Sequence, residues 1–75
     1  MITSGENWKT IVKPFLKEKK FFFMGSKQSG KSLILTYKKA DLLAIITFHG
    51  GEVSIELTEG ADKALYLEEL ELLLS

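Results

Sequence analysis

The alternation of apolar and polar positions divides the chain into six segments. Near the start, Trp8, Ile11, Val12, Phe15 and Leu16 recur at i, i+3, i+4, i+7 and i+8, the stripe of an amphipathic helix. Thr3 and Glu6 ahead of it have capping-box spacing. Pro14 falls inside the stripe; its ring and missing N–H disrupt the bond back to Thr10, which predicts a kink or break near Lys13 and a second short turn from Pro14.

The middle of the chain changes to strand periodicity. KKFFFMG reads as a strand in which Phe22 faces one way and Phe21 and Phe23 the other, followed by a loop rich in glycine, serine and lysine. SLILTY predicts a second strand, with Leu33, Leu35 and Tyr37 on one face and Ile34 and Thr36 on the other; a helix over the same residues is the competing reading. KKAD makes a turn, and Leu42–Phe48 is nearly continuously apolar, as in a strand at the middle of a sheet. His49-Gly50-Gly51 signals a hairpin turn, after which Val53, Ile55 and Leu57 point inward and Ser54, Glu56 and Thr58 outward.

The last segment predicts an acidic helix from about Glu59 to Leu74, capped by Thr58, with Glu59 and Asp62 in its first turn. Tyr66, Leu67, Leu70, Leu73 and Leu74 form its apolar face, while Leu65 and Leu72 fall outside that face beside Glu68 and Glu69. These segments add up to a small α+β domain over residues 1–75. An N-terminal helix, a four-stranded antiparallel meander and a C-terminal amphipathic helix follow in that order. The segment from 19 to 75, β-β-β-β-α, resembles in topology the small whirly-like single-strand-binding domains. It carries no diagnostic motif of theirs, and the leading helix departs from them.

Composition narrows the chemistry. At 75 residues only about 60 % of the chain's surface is buried on folding, so a partner or a second copy would add stability. There is no cysteine, which removes disulfides and thiolate metal sites and suits a reducing, cytoplasmic setting. His49 is the single histidine, and no catalytic, metal-binding or cofactor-binding set can be assembled; the sequence points away from an enzyme. No apolar stretch approaches the roughly 20 residues of a membrane span. All ten basic residues are lysine, a usage typical of AT-rich coding such as that of low-GC bacteria and their phages.

One stretch spells a known motif. Met24–Ser32, MGSKQSGKS, satisfies G-x-x-x-x-G-K-[ST] through Gly25, Gly30, Lys31 and Ser32. A phosphate-cradling P-loop needs a parallel strand before it, a helix starting at the lysine and an acidic residue for magnesium on another strand. The strand is partly supplied, the helix competes with β alternation, and LLAIITF runs into His49 instead of an aspartate. The expected reading is a hairpin loop with lysines in water, and a minimal nucleotide binder is the least favoured of the functional readings.

The net charge of zero conceals an asymmetry. Residues 1–39 hold nine lysines against Glu6 and Glu18, and residues 40–75 hold Lys63 against eight carboxylates, so the halves carry +7 and −7. On the acidic side, Glu56, Glu59, Glu68, Glu69 and Glu71 with Leu65 and Leu72 form a candidate partner-binding face. Carboxylates so placed can imitate a phosphate backbone and occupy the basic groove of a protein that handles DNA or RNA. The leading expectation is therefore a phage or prophage regulator that blocks a host replication or transcription protein; a homodimer is a separate expectation about its assembly. On the basic side, Lys19, Lys20, Lys27, Lys31, Lys38 and Lys39 flank Phe21 and Phe23. That combination of rings and charges binds single-stranded nucleic acid. The alternative expectation is a single-stranded nucleic acid-binding domain; against it stands the requirement that a small domain keep its large apolar residues for the core.

Overall fold

A run of seven apolar or small residues, Leu42–Phe48, cannot be exposed on both faces, and in the computed structural model, which describes residues 1–75, it forms the central strand. Five strands, β1 (Ile2–Ser4), β2 (Phe22–Ser29), β3 (Ser32–Lys39), β4 (Leu42–His49) and β5 (Glu52–Leu57), make one antiparallel sheet in the order β1-β5-β4-β3-β2. The helical run between β1 and β2 comprises α1 (Gly5–Asn7), a π-helical turn over Trp8–Val12, and α2 (Lys13–Glu18); α3 (Lys63–Leu74) closes the chain. The small α+β architecture of helix, antiparallel meander and helix is as the periodicity predicts. The fifth strand, β1, pairs with β5 (Ile2 with Ser54, Thr3 with Val53) and is an addition.

Register assigns the two faces. Leu42, Ala44 and Ile46 of β4 and Val53, Ile55 and Leu57 of β5 are buried and meet Trp8, Val12, Phe15 and Leu16 of the helical run and Tyr66 and Leu70 of α3. The helices therefore cover one side of the sheet. The other side presents Ile34, Thr36 and Lys38 of β3, Leu43, Ile45 and Thr47 of β4, and Ser54 and Glu56 of β5, none of which belongs to the core. Two layers account for the 18 Å shortest dimension of the molecule.

Local chemistry sets the boundaries. Ser4, not Thr3, is the first cap: its Oγ accepts from the Asn7 amide at 3.1 Å, while Thr3 Oγ1 accepts from Asn7 Nδ2 at 2.9 Å. Where Pro14 predicts a kink or break near Lys13, the run instead stays helical and changes type there. The Lys13 amide donates to Trp8 O, five residues back, and α2 begins there with Pro14 in its first turn.

Four further expectations are corrected. The glycine-, serine- and lysine-rich stretch is not a loop: residues 26–29 are the second half of β2, paired with Ser32–Leu35. Thr58 does not cap α3; its amide and Oγ1 exchange bonds with Leu43 (2.9 and 3.0 Å), extending the β4–β5 ladder. Hence α3 starts at Lys63 instead of Glu59, with no acidic residue in its first turn. Leu73, assigned to the apolar face of this helix, is exposed.

Candidate nucleic-acid interface

β2 is an edge strand with few constraints on what it turns outward. Its partner β3 holds it through pairs from Phe22–Lys38 to Ser29–Ser32, interrupted by a bulge at Met24. Gly25 follows the bulge at φ +152°, a conformation other residues rarely adopt. On this edge strand Phe22, Phe23 and Met24 are exposed in succession, at 73 %, 56 % and 59 % of their full surface. Phe22 stands on the uncovered face opposite Lys38; Phe23 stands on the helix-covered face, its ring edge-on to Tyr37 at 5.3 Å. Tyr37 continues the aromatic row to Trp8 at 6.2 Å, and burial holds its phenol above the ordinary tyrosine range.

The candidate basic set divides on inspection. Lys20, Lys27, Lys31 and Lys38 are exposed and make no ion pair. Lys19 pairs with Glu69 at 2.8 Å, and that hydrogen bond holds its ammonium above the ordinary lysine value. Lys39 donates to the Tyr66 hydroxyl at 2.6 Å and lies 5.1 Å from the centre of its ring. Phe21 is a correction: it precedes β2, is only 7 % exposed and packs edge-on against Tyr66 at 5.5 Å, so it cannot stack on a base. Phe22, absent from the candidate set, takes its place. Strict alternation put Phe21 and Phe23 together, but Phe21 belongs to the end of the helix, where its amide donates to Leu16 O at 2.9 Å.

The acidic set is not one surface. Glu56 lies on the uncovered sheet face, in line with Ile45 and Thr36. Glu68, Glu69 and Glu71, with Leu65 and Leu72, lie on α3, across the sheet from it. Glu69 is paired with Lys19. Glu59 sits in the connection before α3, where Lys63 Nζ donates to it at 2.8 Å and holds its carboxyl below the usual range.

The P-loop match has a definite location. Gly30 and Lys31 form the two-residue β2–β3 turn, Gly30 at φ +60°, and Ser32 opens a strand where a P-loop would open a helix. The stretch is a hairpin, its backbone engaged in the β2–β3 ladder instead of arranged as an anion cradle. The neighbouring depression, lined by Met24, Gly25, Ser26, Lys27, Ile34 and Thr36, holds about 200 Å³. Pockets that enclose a small molecule span roughly 300–1,000 Å³; this one suits a ring or side chain resting on a surface.

One contact was not legible from the sequence. Ser32 Oγ and His49 Nδ1 share a 2.9 Å hydrogen bond across β3 and β4, with Glu52 the cross-strand neighbour of His49. The pair is exposed, and none of the three concavities is lined by it. Its evident role is to tie the ends of the two hairpins together. Compared with family models, curated proteins and solved structures, the chain matches none of them.

Proposed function

We propose that this protein is a small binding module for single-stranded nucleic acid, working through the edge strand β2 and the adjoining part of the uncovered sheet face. The observation that carries the reading is the exposure of Phe22 on the same sheet face as Lys27 and Lys38, neither of which makes an ion pair. The objection that a small domain needs its aromatics for the core is met by Trp8, Phe15, Phe21 and Tyr66, which fill it without Phe22. Phe22 offers a flat ring for a base, and Lys20, Lys27, Lys31 and Lys38 offer charge to the backbone on either side.

The test is binding of labelled single-stranded DNA and RNA across a salt series. If all four lysines reach phosphates, the log–log slope is about −3 for single strands. Charge reversal at Lys27 and Lys38 abolishes binding on this account. Binding that survives the reversal places the site elsewhere.

A second reading has its own support. Leu65 and Leu72 are 52 % and 71 % exposed on α3 beside Glu68 and Glu71, a surface suited to a basic and apolar protein partner, as in an inhibitor with a DNA-mimic face. The separation of Glu56 from the helix leaves that face smaller than the sequence suggests. A pull-down that retains a DNA-handling protein and fails with Glu68→Lys and Glu71→Lys would favour it.

A further inference from the structure

The outer surface of the helical layer combines two rows of opposite charge with an apolar ridge. Along the N-terminal helical run, Lys9, Lys13 and Lys17 follow at intervals of four residues; all are exposed and none makes an ion pair. Along α3, Glu68 and Glu71 are likewise exposed and unpaired. Where α2 meets α3, Leu72 and Leu73 line, with Phe15, Glu18, Lys19 and Glu69, a groove of about 330 Å³. Leu65, one heptad before Leu72, continues the ridge. Three leucines more than half exposed on one twelve-residue helix form a patch that a soluble surface ordinarily covers.

We infer that the occupant of this ridge is a second copy of the same chain. A two-fold axis running between the helices, along their length, lays the lysine row of each copy over Glu68 and Glu71 of the other and places the leucines at the centre. The same surface is then self-complementary, as a two-fold interface must be. Stacking α3 on α3 would instead set glutamate against glutamate. The arrangement leaves both uncovered sheet faces and both β2 edges outward, so it is compatible with the nucleic-acid reading and does not depend on it.

The experiment is sedimentation of the full chain over a range of concentration and salt. The expected result is a species of twice the 8.4 kDa chain mass at low salt, dissociating as salt or dilution increases. Leu72→Glu, at an exposed position, should halve the mass while leaving thermal unfolding of the dilute monomer unchanged. The paired reversals Lys13→Glu with Lys17→Glu should also give monomer. Adding Glu68→Lys and Glu71→Lys should restore the dimer, a rescue that loss of folding cannot produce. A wild-type chain that stays monomeric at high concentration and low salt overturns the inference. So does a dimer that survives these changes but is broken by Ile45→Lys on the uncovered sheet face.

Discussion

Lys20, Gly30, Ala40 and Gly50 stand ten residues apart and share a left-handed backbone, with φ between +54° and +65°. Each reverses the chain, Lys20 after α2 and the others at the first position of a two-residue hairpin turn. Glycine adopts this conformation freely at 30 and 50; at 20 and 40 a Cβ opposes it. Ala40→Gly should therefore raise stability by about 1 kcal/mol, a rise of roughly 4–8 °C in Tm for a domain of this size. Calorimetry checks it. Lys20→Gly should stabilise similarly, because Phe21 N–H to Leu16 O already completes a Schellman-type stop around that residue. On the proposed function it should at the same time weaken nucleic-acid binding by removing a charge, an opposition of effects that separates a backbone role from a binding one.

Tyr37 and Lys19 both have folded-state values above their ordinary 10.0 and 10.5, by burial and by the Glu69 hydrogen bond respectively. A raised folded value means stability that is complete below the ordinary value and lost as pH rises through the folded one. Unfolding measured above about pH 10 should show a falling limb, and Tyr37→Phe should flatten it. Glu59, held low by Lys63, acts in the opposite sense: its contribution is present above the ordinary 4.5 and lost as pH falls through the depressed value.

Among the elements, the inner strands were the most legible. The apolar run of β4 and the strict alternation of Val53, Ile55 and Leu57 declare central and half-buried strands without help from distant residues. β1 has three residues and no pattern of its own; only pairing with β5 defines it. The second half of β2, SKQS, lacks apolar alternation because an edge strand is held by backbone pairing with β3. The start of α3 is hidden in the sequence for a related reason. Thr58 has a capping side chain, but the β4–β5 ladder claims it, and the chain then crosses at Gly60 before the helix can begin. A Cβ at Gly60 would come within 3.1 Å of the Cα and Cβ of Leu42, a fully buried residue that cannot yield. Gly60→Ala should thus destabilise by about 1–3 kcal/mol, seen as a lower urea midpoint. The candidate site was half legible: lysines and rings are visible in the sequence, but which phenylalanine is exposed depends on where the helix stops and which strand lies at the sheet edge.

The whole molecule rests on thirteen buried apolar residues in one cluster with no buried polar or charged group. Ile46, wholly buried at the middle of the central strand, is its centre; Ile46→Ala should cost about 2–5 kcal/mol, enough to leave a domain with such a small core largely unfolded. Circular dichroism would report it. Phe22, by contrast, contributes little to this core and can be removed without unfolding the chain. That contrast between a sealed core and an exposed ring is the basis of the functional claim.

The most direct test is fluorescence anisotropy of a labelled single-stranded oligonucleotide with the wild-type chain and with Phe22→Ala, at low and moderate salt. The expected result is salt-sensitive binding by the wild type and affinity about ten-fold or more weaker for Phe22→Ala, the loss of one stacked base, at unchanged Tm. Absence of binding at low salt, or equal affinity of the two proteins, would contradict it.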